Sequence, residues 1–320
     1  MKTRRFLLAA LAATALSAHA QDFPSKPFTL LVPFPPGGST DMVARVIADK
    51  LQASLGRTVV IENRPGGGAQ IAASVLMKAN ADGHTLMIGD TGALAVNTTL
   101  YPKLSFDPLK DFAPVTALVS TPLVLVVSPG NKATKASDVV TQARQNPQGL
   151  SYASQGVGTI GHLLGEQLRA RSGATFHHVA YKGSAPALQD VLAGQVEMLF
   201  DPVSTAWPMI TAGKVKALGV AAARRSPALP QVPTLAEAGV PGVEGSVWWG
   251  IVVKAGTPPA AVKRLNAELH KALASPDVVK RFTELGLEST PTSPERFGEF
   301  MKAEVARWAP IVKASGATVD

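Results

Sequence analysis

The sequence contains no cysteine in its 320 residues. Disulfides therefore cannot stabilise the fold, and both a thiol nucleophile and a lipid anchor on an N-terminal cysteine are excluded. Stability must come from the burial of apolar side chains. A chain of this length is long enough to form two domains, each with its own core.

Long apolar runs are lacking as well. Residues 6–18 form an apolar run of 13 residues, which is too short to span a bilayer comfortably. The run follows a basic start at residues 2–5 and precedes a small-x-small tripeptide that ends at Ala20. These features predict a secretory signal peptide over residues 1–20, cleaved near Ala20, and a mature protein in the periplasm. Arg4 and Arg5 leave both the general secretory and the twin-arginine export routes open.

A strong excess of one charge is also missing. The 31 Lys and Arg residues exceed the 23 Asp and Glu residues by 8, and by 5 once residues 1–20 are removed. The basic residues are scattered and are not interleaved with stacking aromatics, so no nucleic acid partner is expected. His177 and His178 are adjacent on a predicted strand, so they face opposite ways and make a poor metal pair. No metal and no cofactor is expected.

The common catalytic motifs are missing too. The sequence has neither a G-x-S-x-G nucleophile elbow nor an H-E-x-x-H zinc motif. Nucleophilic catalysis needs a base within hydrogen-bond reach of the nucleophile, and no local pattern suggests such a pair. The chain is therefore not expected to be an enzyme. A small exported hydrolase stays open as an alternative, because Ser, His and Asp all occur near the glycine-rich loops described below.

What the sequence does contain is a repeated pattern of strand, glycine-rich loop and helix. Periodic apolar residues over 41–55 predict a helix that ends at Gly56, and the pattern restarts after about residue 121. The predicted strands are 28–32, 58–62, 85–89, 150–153, 176–180, 196–201, 214–222 and 246–253. Alternating strands and helices predict an α/β fold of mostly parallel sheets flanked by helices.

Two stretches look like crossings between two α/β units. Residues 113–127 are unusually long for one strand and are broken at Thr121-Pro122, and residues 222–253 lead back after the second unit. We therefore predict a two-domain clamp with a paired hinge and a ligand cleft between the lobes. The predicted lobe 1 comprises residues 21–121 plus 223–320, and the predicted lobe 2 comprises residues 122–222.

The loop after the first predicted strand, PFPPGGSTD at residues 33–41, has the features of an anion-binding loop. In open α/β sheets, ligands lie beyond the carboxyl ends of strands, and the next helix begins with unpaired N–H groups and partial positive charge. Gly37 and Gly38 allow a close approach of the backbone, and Ser39 or Thr40 can cap the helix. The loop predicts an anion site built from backbone, without a lysine.

Similar loops occur at residues 154–162 and 181–187, with a weaker case at residues 89–95. Several such loops at strand ends, divided between two lobes, can converge on one small anion. The alternative is that each loop only begins its own helix.

Seven motifs occur in the order known from one protein family. They are VPFPPGGSTDMVAR, VVIENRPGGG, DGHTLMIG, SYASQGVGTIGHLLGE, HHVAYKGSAPALQDVLAGQVEMLFD, LPQVPTLAEAGVPG and WWGIVVKAGTP. From about residue 24 to its end, the chain resembles the Bug-type or TctC-family solute-binding proteins, the extracytoplasmic receptors of tripartite tricarboxylate transporters. Ala180 departs from the family pattern, in which a proline is usual at that place.

The resemblance implies a periplasmic-binding-protein (Venus-flytrap) fold and a receptor that binds a small carboxylate between its lobes. It also implies integral-membrane permease subunits as partners, and a monomer is expected. The ligand classes left open are a dicarboxylate, a tricarboxylate, an aromatic carboxylate and an acidic amino acid, and the alternative receptor is that of an ATP-driven importer. Carried over motif by motif, the expected ligand-binding residues are Phe34, Pro36, Gly37, Gly38, Ser39, Thr40, Asp41, Thr91, Ser154, Gly158, Thr159, His162, Tyr181, Gly183, Ser184 and Asp201.

Some of these residues have a competing structural role. Asp41 is expected to cap its helix rather than to touch an anion, whereas His162 is explained equally by packing and by ligand binding. Asp201 either pins a loop or meets the ammonium group of an amino acid ligand. Of Trp248 and Trp249, one is expected in the core, and the other is left open as a residue that lines the cleft.

Overall fold

The computed structural model describes residues 23–319, which form a mixed α/β structure of ten strands and ten helices. The predicted signal peptide, residues 1–20, lies outside the described residues. The strands are β1 (Phe28–Val32), β2 (Val59–Asn63), β3 (Thr85–Asp90), β4 (Phe112–Val127), β5 (Leu150–Ser154), β6 (Phe176–Ala180), β7 (Met198–Pro202), β8 (Lys216–Val220), β9 (Ser246–Lys254) and β10 (Glu288–Ser289). The helices are α1 (Ser39–Leu55), α2 (Gln70–Lys78), α3 (Asn97–Leu100), α4 (Ala136–Gln145), α5 (Ile160–Ser172), α6 (Ser184–Leu192), α7 (Val203–Thr211), α8 (Pro259–Ala274), α9 (Pro276–Glu284) and α10 (Pro294–Ser315).

The first sheet has the order β2-β1-β3-β9-β4, and β1 pairs in parallel with both of its neighbours. Helix α1 packs on this sheet because Val43, Ile47 and Leu51 recur at helical spacing and are buried. Gly56 ends α1 in the left-handed conformation at φ 61°, as the sequence predicts. The helix begins at Ser39, two residues before the predicted start.

Strand β4 belongs to two sheets. Its residues Phe112–Pro122 pair with β9 in the first sheet, and Leu123–Val127 pair with β7 and β8 in the second. The predicted break at Thr121-Pro122 is wrong, because the strand runs through 16 residues without interruption. Pro122, which has no N–H group, is tolerated where the strand changes partners. The change of partners falls between Pro122 and Leu123, and the lobe boundary between residues 121 and 122 stays a prediction.

The two sheets are mixed, with parallel outer strands and antiparallel crossing strands. β5 pairs in parallel with β6 and β7, whereas β4 runs antiparallel to β7, β8 and β9. A chain that crosses to a second lobe and returns must run in opposite directions in its two crossings. The antiparallel pair β4 and β9 is therefore the geometric consequence of the two hinge crossings.

The two tryptophans of β9 pack on opposite faces of the first sheet, and both are at most 3 % exposed. The Trp248 indole N–H donates to Glu304 Oε2 on α10 at 2.9 Å, and the Trp249 indole N–H donates to Thr40 Oγ1 at 2.8 Å. Both side chains therefore belong to the core, and the cavity described below is lined by their neighbour Val247 instead. Within residues 23–319, no helix is long and apolar enough to cross a membrane.

Candidate functional site

A cavity of about 550 Å³ lies between the two lobes. Both lobes contribute to its wall, in each case through the carboxyl ends of strands and the loops that follow them. The lining residues are Pro33, Phe34, Pro35, Pro65, Gly66, Gly68, Ala69, Asp90, Thr91, Gly92, Ala93, Asn97, Leu100, Tyr101 and Val247 on one side, and Gln155, Val157, Gly158, Thr159, Ile160, Gly161 and Pro202 on the other. This is the place that the topology of an α/β sheet provides for a ligand.

The start of helix α5 forms the second-lobe wall. Thr159 is its N-cap residue, and Gly158 before it has φ +75°, a conformation that glycine adopts without strain. The Thr159 hydroxyl donates to the Gly156 carbonyl at 2.8 Å and does not cap the helix. The first turn of α5 contains no acidic residue. The unpaired N–H groups and the partial positive charge at the start of α5 are therefore available to bind an anionic ligand.

The start of helix α2 forms part of the opposite wall. It follows a run of left-handed residues, Gly66 to Ala69, in which Ala69 has φ +77° although it carries a Cβ. The Asn97 side-chain amide donates to the Gly68 carbonyl at 3.0 Å and holds the run in place. The first turn of α2 also contains no acidic residue. Left-handed backbone at a non-glycine residue is a form of strain that is concentrated at functional sites.

The start of helix α1 differs, because Asp41 in its first turn offsets the partial positive charge of the helix. Asp41 is 2 % exposed, and its carboxylate accepts from the Gly37 N–H at 3.0 Å, from Asn63 Nδ2 at 2.9 Å and from Arg45 Nε at 2.8 Å. The hydrogen bond from Arg45 is the main reason that the pKa of Asp41 falls to about 2. Asp41 therefore has a structural role, but its backbone hydrogen bond is to the loop before the N-cap residue Gly38 and not to a helix N–H group.

Four of the sixteen predicted ligand-binding residues line the cavity: Phe34, Thr91, Gly158 and Thr159. Among the described residues, the other twelve lie outside its lining, and a direct contact with a ligand stays a prediction for them. They are Pro36, Gly37, Gly38, Ser39, Thr40, Asp41, Ser154, His162, Tyr181, Gly183, Ser184 and Asp201. Ser39 and Thr40 do not cap α1, whose N-cap residue is Gly38.

Several of these twelve residues hold the loops around the cavity. Asp201 is fully buried, and its carboxylate accepts hydrogen bonds from the side chains of Gln155 at 2.8 Å and of Thr205. It therefore holds Gln155, a residue of the cavity wall, in place. Burial raises the pKa of Asp201 to about 6. The Tyr181 hydroxyl donates to Asp190 at 2.6 Å. Of the two roles considered for Asp201, the structure shows the loop-pinning one.

Two stacked histidines support the loop that begins α5. The rings of His162 and His178 lie 3.9 Å apart between centroids. His162 Nδ1 accepts from the Gly158 N–H at 3.1 Å, and His178 Nε2 is 2.6 Å from the Ser154 hydroxyl. Burial lowers the pKa of both rings, and the neighbouring His162 contributes to a pKa of about 4 for His178. Both rings are therefore neutral at pH 7.

The matching family model agrees with this architecture. The chain matches the model described as "Tripartite tricarboxylate transporter family receptor", TctC, over residues 43–317. It belongs to this family. The TctC receptors are solute-binding proteins of the periplasm, and they are not an enzyme family.

Relatives and solved structures of the TctC family match nearly the whole chain. A UPF0065 protein in the tcbD-tcbE intergenic region of a Pseudomonas species is 43 % identical, over 97 % of this chain and 94 % of the relative. Protein BugT of Bordetella pertussis is 37 % identical, over 96 % of this chain and 95 % of its own length. The structure of R. palustris Rpa4515 with adipate has a TM-score of 0.83 at 38 % identity, over 92 % of this chain and 99 % of that one.

A further solved neighbour is MatC of Rhodopseudomonas palustris with bound malate. Its TM-score is 0.79 at 35 % identity, over 91 % of this chain and all of the other. Both of these solved neighbours hold a small carboxylate.

Sequence reasoning missed several residues of the cavity wall, above all Gly66, Gly68, Ala69 and Asp90. The triple glycine of NRPGGG predicts a turn, and it allows a close approach of the backbone for the same reason as Gly37 and Gly38. A Cβ on Gly68 would lie 2.5 Å from the Tyr101 ring, so this glycine is required by close packing as well as by its φ of +60°. The left-handed Ala69 has no signal in the sequence.

The lowered pKa of His178 predicts that the free energy of unfolding falls as the pH is lowered. The unfolded chain protonates His178 near pH 6.5, and the folded protein only near pH 4, so protons bind the unfolded state first as the pH falls. Stability from this group is complete above pH 6.5 and is lost between pH 6.5 and 4. We expect a loss of about 2 kcal/mol, allowing for the partial exposure of the ring.

The measurement is urea unfolding between pH 7.5 and 4, in wild type and in His178→Gln, with His177→Gln on the exposed neighbour as control. The titratable groups facing His178 are His162 and Glu166, and Glu166 pairs with Arg169. All three remain in both variants, so the difference from wild type isolates His178. Parallel pH profiles for wild type and His178→Gln would contradict the prediction.

Proposed function

We propose that this TctC-family protein is an extracytoplasmic receptor that binds a small carboxylate in the cavity between its lobes. The observation that carries this proposal is the pair of helix starts in the cavity wall, α2 and α5, which contain no acidic residue in their first turns. Their N–H groups and partial positive charges can hold one carboxylate without a cationic side chain. The carboxylates held by Rpa4515 and MatC support the same ligand class.

We further propose that the receptor is exported with cleavage near Ala20, acts as a monomer in the periplasm and delivers its ligand to permease subunits of a tripartite tricarboxylate transporter. The basic and apolar residues of the N-terminal segment and the family membership support this role. Mass spectrometry of the secreted chain tests the cleavage. Uptake of the ligand in cells with and without the permease genes tests the delivery. Chemical conversion of the ligand by the purified protein would contradict a receptor that binds without chemistry.

The ligand is sought in two ways. Native mass spectrometry of the purified protein detects a retained molecule, and a thermal-shift screen of carboxylates and amino acids ranks candidates. A ligand that binds only the folded state stabilises it by RT ln(1 + L/Kd), where L is the free ligand concentration, and therefore raises the melting temperature.

Blocking the ligand's carboxylate is expected to weaken binding by about 2 kcal/mol. A methyl ester loses the negative charge that the helix starts stabilise and leaves buried N–H donors poorly paired. Calorimetric titration of the best ligand, its methyl ester and its primary amide measures the effect. The amide removes the charge with little added bulk, so it separates charge from steric hindrance. Equal affinity for the acid and the amide would show that the cavity does not hold a carboxylate.

A further inference from the structure

The cavity presents one acidic side chain to its contents. Asp90, the last residue of β3, lies in the wall, and no Lys, Arg or His is found among the described lining residues. The remaining wall is largely backbone and apolar side chains, including Leu100 and Ile160. A ligand whose carboxylate is held by helix starts therefore shares the cavity with a second, fixed acid.

The contacts of Asp90 leave its charge uncompensated. Its Oδ1 accepts from the Ala93 N–H at 2.8 Å, which orients the carboxyl group at the start of the turn that follows β3. Within residues 23–319, no ion pair involves Asp90, and backbone N–H groups are its hydrogen-bond donors. Burial raises the pKa of Asp90 to about 6. Because this pKa lies below 7, the group is mainly ionised at the pH of 7.5 used below.

We propose that Asp90 is a specificity-determining residue that selects against a second carboxylate on the ligand and in favour of an ammonium group. The inference rests on the proposed function, because it concerns the part of a bound carboxylate ligand that the helix starts do not hold. In a cavity of 550 Å³, a charge at the far end of the ligand lies close to Asp90. The interaction between the two charges is therefore only weakly screened. Like charges there oppose binding, and opposite charges favour it.

The test uses three probes with the same six-carbon chain: hexanoate, adipate and 6-aminohexanoate. They share one carboxylate and differ in the far end, which is apolar, anionic or cationic. Calorimetric affinities at pH 7.5 are compared for wild type and Asp90→Asn. The asparagine keeps an oxygen that can accept from the Ala93 N–H. Glu62→Gln on the adjacent part of the first sheet is the control, because it removes one negative charge outside the cavity lining.

In Asp90→Asn, the affinity for adipate is expected to rise by about tenfold relative to hexanoate, and that for 6-aminohexanoate to fall by about tenfold relative to hexanoate. Glu62→Gln should leave both ratios unchanged. If hexanoate binds but the two ratios are the same in Asp90→Asn and wild type, the role of Asp90 is refuted while the carboxylate receptor stands. If none of the three probes binds wild type, the inference fails together with the carboxylate site on which it rests.

Discussion

Replacing Thr159 with Asp is expected to weaken carboxylate binding on the order of a thousandfold while the protein remains folded. Thr159 is the N-cap residue of α5 and lines the cavity, so an acid there faces the ligand's carboxylate at the helix start. Two unit charges about 4 Å apart repel by about 4 kcal/mol at the effective dielectric constant of a protein surface. The new carboxylate also accepts hydrogen bonds from the helix N–H groups that a ligand would use. In α1, Asp41 already places an acid in the first turn of the helix.

The matched control is Thr159→Asn, which has the same shape as Asp and caps helices equally well, but carries no charge. Calorimetry gives the affinities, and thermal unfolding confirms that both variants fold. The asparagine variant should lose at most about tenfold. If aspartate and asparagine weaken binding equally, the start of α5 does not stabilise an anion.

Replacing Glu304 with Ala is expected to destabilise the fold by about 3–5 kcal/mol. Glu304 on α10 is 6 % exposed, and its Oε2 accepts from the indole N–H groups of both Trp248 and Trp308 at 2.9 Å. Alanine leaves two buried donors without an acceptor and opens a cavity between α10 and the first sheet. Arg307, the ionic partner of Glu304, is 41 % exposed and stays solvated when Glu304 is removed. The loss of this ion pair therefore adds little to the destabilisation.

The control for this effect is Glu304→Gln, whose amide oxygen can still accept from the indoles. Urea unfolding should place the glutamine variant much closer to wild type than the alanine variant. Ligand affinity, measured where each variant is fully folded, should stay close to that of wild type, because Glu304 lies outside the cavity lining. A loss below about 1 kcal/mol in the alanine variant would contradict the proposed role of this acceptor.

Most of the fold could be predicted because the relevant signals are local. The apolar periodicity of residues 41–55 and the glycine that ends them identify α1, and the length of residues 113–127 identifies a crossing. The continuity of β4 could not be predicted. Pro122 normally ends a strand, and only the exchange of β9 for β7 and β8 as partners makes it tolerable. Such partners are distant in the sequence, so local rules do not reveal them.

The candidate site was predicted less completely than the fold. The loop at residues 33–41 has the right composition, yet the i,i+4 spacing of Asp41 and Arg45 was available as a sign that α1 neutralises its own start. The reverse holds for α2 and α5, whose first turns contain no acid. Asp90 could not be singled out, because an acid that follows a strand most often only caps the next turn, and its place in the cavity wall depends on the second lobe.

The sharing of β4 between the two sheets also determines when the chain can fold. In the first sheet, β9 lies between β3 and β4, although more than a hundred residues separate it from either of them in the sequence. When the chain appears from its N-terminus onward, β3 and β4 therefore cannot pair with β9 until Lys254 has appeared. Closing such a long loop is entropically costly and makes folding slow. The second sheet can form once Val220 has appeared, whereas the first sheet is completed only after most of the chain has appeared.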